Sequence, residues 1–250
     1  MIILLTNDDG VTAGGINALF RALSERHDVY LIAPNRELSA CSSAITIRHP
    51  VTLERISDRI YASDGFPADC VNVGMNAGIL PRPDLVVSGI NHGPNMGSDV
   101  YFSGTVAGAR MGYIFGAPAI AVSLDRYGDS DRFDDVARFM LEFVAAASPG
   151  GAMEHVLLNI NYPDLPRGEI AGCAYTTLGH RNYIDSYRRV SGDDREQRLQ
   201  LVGNIESSGP DDCDVVAVQN GFISITPLGL DCVDYAYLSR AREGAVPCPK

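Results

Sequence analysis

Lysine is almost missing from this chain of 250 residues: Lys250 is the only one. A phosphate-binding P-loop lysine, a Schiff-base lysine and pyridoxal phosphate chemistry are thereby excluded. The basic side is nearly all arginine, with 20 Lys+Arg against 31 Asp+Glu and a formal charge of −11. Such an acidic chain is a poor partner for duplex nucleic acid, because neutralising phosphates takes basic clusters. A small phosphorylated ligand is still allowed, since a metal reverses the local sign. Tryptophan is absent, which excludes nothing by itself. Cys41, Cys70, Cys173, Cys213, Cys232 and Cys248 form no C-x-x-C pair, so neither a zinc knuckle nor a thioredoxin-type site is signalled. Buried thiols in a reducing compartment are the plain expectation. No charge-free run reaches the roughly 18 residues of a membrane span. The opening Met1-Ile2-Ile3-Leu4-Leu5 lacks a basic stretch and is too short for a signal peptide, so a cytoplasmic protein without a membrane partner is expected. There is no G-x-S-x-G, no H-E-x-x-H and no G-x-G-x-x-G after the first apolar run, which argues against a serine hydrolase elbow, a zincin and a dinucleotide fold.

What is present is a chain with 46% hydrophobic residues, long enough to bury a core without disulfides. Short continuous apolar runs at 2–6, 29–33, 85–90, 119–124 and 155–161 read as strands buried on both faces. Between them, helical spacing runs over 15–23, 67–79, 104–115 and 133–147. Ala44 to Ile47, Val51 to Leu53 and Ile60 to Ser63 read as further short strands. Residues 178–214 show little periodicity, and Val215–Val218 with Phe222–Thr226 reads as a hairpin turning at Asn220-Gly221. The expected architecture is α/β: a Rossmann-like, mostly parallel sheet flanked by helices, with a C-terminal β-hairpin or arm extension. The expected division is a core over 1–164 carrying the site and an extension over 165–250 that completes the core and reaches a partner subunit.

Ligands of open parallel sheets bind at the carboxyl ends of the strands. Those ends carry Asn7-Asp8-Asp9-Gly10, then Pro34-Asn35-Arg36-Glu37-Leu38-Ser39, then Asn91-His92-Gly93-Pro94-Asn95, followed by Ser103-Gly104-Thr105 at a helix start. Adjacent Asp8 and Asp9 repel, and one takes up a proton unless a cation lies between them. A hard divalent cation suits carboxylates together with the neutral oxygens of Ser39 and Asn91. Such a cation binds a phosphate oxygen and activates water. The plainer alternative is a turn in which Asp caps the following helix. Ser103, Gly104 and Thr105 at a helix N-terminus make an anion site, or Ser103 is an ordinary N-cap. Asn95 donates to the same phosphate or forms an Asx-turn. His92 is a general acid or base, or simply a loop residue.

The run Ile3-Leu4-Leu5-Thr6-Asn7-Asp8-Asp9-Gly10-Val11 resembles the signature of the SurE family, the stationary-phase survival proteins. Three further stretches are similar: Ala33-Pro34-Asn35-Arg36 through Ser39 to Thr46, Val87-Ser88-Gly89-Ile90-Asn91-His92-Gly93-Pro94-Asn95-Met96-Gly97, and Tyr101 to Ala109. Ile225-Thr226-Pro227-Leu228 with Asp231 resembles the family's closing strand. The resemblance implies a divalent-metal-dependent phosphatase of nucleoside 5′- and 3′-monophosphates. It implies that Asp8, Asp9, Ser39 and Asn91 hold one Mg²⁺ or Mn²⁺ per subunit. It implies that Asn95, Ser103, Gly104 and Thr105 receive the phosphate, and that the chain forms a homodimer or homotetramer with exchanged C-terminal arms. Two stretches depart from the family's text: Met111 stands where many relatives carry glutamate, and 181–203 is unlike the usual sequence.

The expected chemistry is in-line attack of water on a phosphomonoester, with Asp8 or Asp9 taking the proton. A covalent aspartyl-phosphate is the alternative mechanism. A non-catalytic metal-dependent nucleotide-binding regulator would use the same residues, and a glycosyltransferase-like use of the Asp pair would need a sugar-nucleotide pocket that the sequence does not signal.

Overall fold

The computed structural model describes residues 1–147, 154–193 and 195–243. Cys248, Lys250 and the end of the C-terminal extension lie outside the described residues. In chain order the core elements are β1 (Ile2–Thr6), α1 (Gly14–Leu23), β2 (Asp28–Pro34), β3 (Leu53–Arg55), β4 (Ile60–Ser63) and α2 (Pro67–Asn76). They continue as β5 (Leu85–His92), α3 (Gly104–Ile114), β6 (Ala119–Leu124), α4 (Phe133–Ala147) and β7 (Leu157–Tyr162). Then come β8 (Gly172–Tyr175), β9 (His180–Gly192), β10 (Gln197–Ser208), α5 (Asp214–Gln219), β11 (Phe222–Pro227) and α6 (Tyr235–Arg242).

A nine-stranded sheet runs in the order β3-β4-β2-β1-β5-β6-β7-β11-β8 and is mostly parallel. The pairings β3–β4 and β7–β11 are antiparallel. Side chains alternate across each strand, so one run feeds both faces. Ile3 and Leu5 join Ile16, Leu19, Val136 and Met140 of α1 and α4 on one face. Leu4 joins Val71, Met75 and Val106 of α2 and α3 on the other. That is why these strands read as unbroken apolar runs. The chain leaves β1 toward β2 on one side and returns to pair β5 on the other. The carboxyl ends of β1 and β5 therefore flank a topological switch point, where such sheets open a crevice.

Beyond the core, several sequence expectations are corrected. Ala44–Ile47 forms no strand, and the segment is held by Thr46, whose N–H and hydroxyl donate to Asp69 at 2.9 and 2.7 Å. The strand expected at Val51–Leu53 lies at Leu53–Arg55. The helix from Pro67 ends at Asn76, short of Ile79. The hairpin expected around Asn220-Gly221 does not exist: Asp214–Gln219 is helical, and β11 lies between β7 and β8. The long hairpin is instead β9–β10, a separate two-stranded antiparallel sheet inside the stretch that shows no periodicity. Among the described residues, no helix is long and apolar enough to cross a membrane.

Candidate active site

The turn after β1 is built by Asn7. Its Nδ2 donates to Gly10 O at 3.0 Å, and Gly10 N donates back to Asn7 Oδ1 at 3.2 Å. Helix α1 is entered through Ala13 without any side-chain cap. Asp8 and Asp9 therefore do not cap α1, the helix that follows them.

Asp8 is buried, and Leu38 N donates to its carbonyl at 2.7 Å, tying the loop after β2 to the loop after β1. The Thr105 hydroxyl donates to Asp8 Oδ1. The same hydroxyl lies 3.2 Å from Asn91 Oδ1, while Asn91 Nδ2 donates to Gly93 O at 2.7 Å. Burial pushes the Asp8 carboxyl up, opposed by the Thr105 hydroxyl and by the backbone N–H groups of Thr105 and Gly104. Helix α3 thus aims its N-terminus at this carboxylate. Gly104 is required there: a Cβ would stand 2.5 Å from Cys41 Sγ and 2.8 Å from Asp8 Oδ2. Asp9 accepts the His92 N–H at 3.3 Å, and burial, then the charge of Asp8, push its carboxyl up to about 7.

His92 is fixed from three sides. Its ring stacks on Phe133 at 4.7 Å, Gly15 N donates to its Nε2 at 3.4 Å, and its Nδ1 lies 3.9 Å from Asp9 Oδ1. Burial lowers its basicity. Ser39 is exposed on the cleft wall and donates to Glu37 Oε1 at 2.8 Å. Asn95 is buried: its N–H donates to Asn161 Oδ1 at 2.8 Å, its Nδ2 to Ser123 Oγ at 2.8 Å, and its carbonyl accepts from Asn159 Nδ2 at 2.7 Å. Ser103 caps α3 by accepting Val106 N at 3.0 Å, which leaves its own proton to donate toward the cleft.

Asp8, Asp9, Ser39, Asn91, Asn95 and Ser103 line one cleft of about 730 Å³. That lies within the roughly 300–1,000 Å³ typical of small-molecule sites. Gly104 and Thr105 stand behind its floor, against Asp8. The wall also carries Glu37, Asp99 and Asp129, and among the described residues no arginine or lysine lines it.

Sequence reasoning missed several contributors. Tyr127 and Asp129 come from the loop after β6. The strand-end rule applied to that strand would have named them. Ser123, Asn159 and Asn161 are polar residues within otherwise largely apolar buried strands, a visible signal. Tyr183 and Arg181 come from the base of the β9–β10 arm, where no periodicity marks them: Arg181 Nε lies 3.1 Å from Asp99 Oδ2, and Tyr183 OH donates to Asp99 Oδ1 at 2.6 Å.

A metal fits this donor set. Two neighbouring carboxylates, Asp8 buried and Asp9 half-buried with its carboxyl raised to about 7, gain from a positive charge between them, and the adjacent neutral donors are hard oxygens. Among the described residues, no group of three or more His, Cys, Asp or Glu side chains converges, so a site would depend on the amide and hydroxyl oxygens.

The family model "Survival protein SurE" matches residues 3–185. A "5'-nucleotidase SurE" of Geobacter metallireducens is 41% identical over 241 residues, covering 96% of this chain and 95% of that protein. A "5'/3'-nucleotidase SurE" of Proteus mirabilis is 42% identical over 245 residues, covering 96% and 94%. The crystal structure of the SurE protein from Aquifex aeolicus superposes with a TM-score of 0.83 at 35% identity, covering 98% of this chain and 100% of that one.

Proposed function

We propose, from the premise that this chain belongs to the survival protein SurE family, that it hydrolyses nucleoside 5′-monophosphates, and 3′-monophosphates as well, to nucleoside and phosphate. The observation that carries this is the acidity of the cleft: Asp8, Asp9, Glu37, Asp99 and Asp129 face it, and among the described residues no arginine or lysine lines it. A phosphate dianion enters such a cleft only with a cation. Asp8, Asp9, Ser39 and Asn91 would hold that cation, one Mg²⁺ or Mn²⁺ per subunit. When bound, it offsets the phosphoryl charge and lowers the pKa of water.

The chain's own residues do the rest. Asn95, fixed by Asn161, Ser123 and Asn159, offers its remaining amide proton to a phosphoryl oxygen. Ser103 offers its hydroxyl proton, and Gly104 and Thr105 present the N-terminus of α3. Asp9 Oδ1 takes the proton of the attacking water. The bond from phosphorus to the ester oxygen breaks in line with the attack, the leaving nucleoside oxygen takes a proton from solvent, and Asp9 returns the water's proton to solvent as phosphate departs. The β9–β10 arm and the rest of the extension over 165–250 are the segments we expect to be exchanged between subunits of a dimer or tetramer, in the cytoplasm.

The test is release of inorganic phosphate from AMP and from 3′-AMP with Mg²⁺ or Mn²⁺ and with EDTA. Release that stops with EDTA is expected. Tight nucleotide binding with no release would make the protein a regulatory binder and contradict the proposal.

A further inference from the structure

We infer that Tyr127 is the platform on which the nucleobase of the substrate stacks; this rests on the nucleotidase function proposed above. Tyr127 lies in the loop after β6, lines the cleft, and is 67% exposed. A large exposed ring is usually free to move, but this one is held. One part of it rests on Gly93, where a Cβ would stand 2.7 Å from ring carbon Cε1. Gly93 has φ +131, a conformation that side chains rarely adopt, so this resting place stays bare. Arg181 Nη2 reaches the Tyr127 hydroxyl at 3.5 Å, the long limit of a hydrogen bond. Arg181 is itself buried, and ion-paired with Asp99 at 3.1 Å.

Gly93 lies between Asn91 and Asn95 in the chain, and Tyr127 lines the same cleft as both. A phosphomonoester anchored at Asn95 and Ser103 places its organic group elsewhere in the same cleft. A flat ring already fixed there costs little ordering when a base covers it. Stacking uses the π face that every nucleobase has, so the platform is tolerant of base identity while rejecting phosphate esters without a base.

The test compares AMP with ribose 5-phosphate, which keeps the sugar and phosphate and lacks the base. In the parent protein with Mg²⁺ or Mn²⁺, kcat/KM should favour AMP. In Tyr127→Ala that preference should fall at least about 5-fold, the lower end of what stacking of one base contributes. In Tyr127→Phe, which keeps the ring, it should stay within about twofold of the parent. Adenosine binding without phosphate, measured by equilibrium dialysis, should weaken by a similar factor in Tyr127→Ala, which keeps the inference testable if that variant loses turnover. An AMP preference unchanged in Tyr127→Ala, equal turnover of the two esters by the parent, or unaltered adenosine binding would each overturn the platform. Failure of the parent to release phosphate from either ester would instead overturn the nucleotidase function.

Discussion

Asp8 and Asp9 sit where burial and mutual repulsion both oppose ionisation. Among the described residues, that cost is offset only by the Thr105 hydroxyl and a few backbone N–H groups, which is the stability cost expected of the proposed cation site. Asp9→Asn should therefore raise the thermal midpoint of the protein in EDTA at pH 8. It should also cut phosphate release from AMP at least about 10²-fold, the scale for removing one group that stabilises transition-state charge. Asp8→Asn should lose activity likewise. Circular dichroism melts and a phosphate assay check both, and near-normal turnover in excess Mg²⁺ would contradict the role. The acids, Asn91, Asn95 and Ser103 were legible as cleft residues because each lies at or shortly beyond the carboxyl end of a strand or at a helix start. Asn7 was not assigned, because an asparagine that folds a turn and one that binds a ligand look alike in sequence. Tyr127 was open to the strand-end rule through its place after β6, whereas Arg181 and Tyr183 were not legible as site residues, since no local pattern marks a residue whose importance lies in what it approaches from afar.

The helix α3 serves the site through three successive positions. Ser103→Ala removes its cap bond to Val106 N and should cost about 1 kcal/mol, read by urea denaturation. Gly104→Ala should do more harm to function, since the added methyl meets Cys41 and Asp8 and displaces the carboxylate. At the base of the arm, the buried Asp214 accepts the N–H groups of Gly97 and Gly179 at 2.9 and 2.8 Å. Asp214→Ala leaves those donors unpaired and should destabilise by about 1–3 kcal/mol for each. A midpoint within error of the parent would show that the arm is not anchored there. The core elements were readable because burial on both faces leaves no polar interruption in a strand, and because α1 and α4 carry one apolar stripe each. The β9–β10 hairpin was hidden for the opposite reason: most of its residues are exposed, so no alternation of burial was imposed on its sequence. Val215–Val218 misled because four β-branched or small apolar residues suit a strand, while Asp214 at the N-terminus and tertiary packing on β11 and the arm make them a short helix.

For the whole molecule, the acidic balance and the acidic cleft lead us to expect that the proposed divalent cation acts as a folding ligand as well as a cofactor. In the metal-free protein the folded-state carboxyl of Asp9 lies near 7, above the roughly 3.9 of an unfolded chain. Its contribution to stability is fully present below about 4 and is lost as pH rises through about 7. Stability in EDTA should therefore decline between pH 5 and pH 8, and stabilisation by Mg²⁺ or Mn²⁺ should grow over the same interval, because binding must release that proton. At a metal concentration about 100 times Kd the gain is about 2.7 kcal/mol, which a thermal melt series resolves. A metal-induced shift equal at both pH values would separate Asp9 from the ion. The most direct measurement is an anomalous difference map from crystals soaked in Mn²⁺. One peak per subunit enclosed by the carboxylates of Asp8 and Asp9, the Asn91 amide oxygen and the Ser39 hydroxyl is expected; a peak elsewhere, or an empty cleft at saturating Mn²⁺, would contradict it.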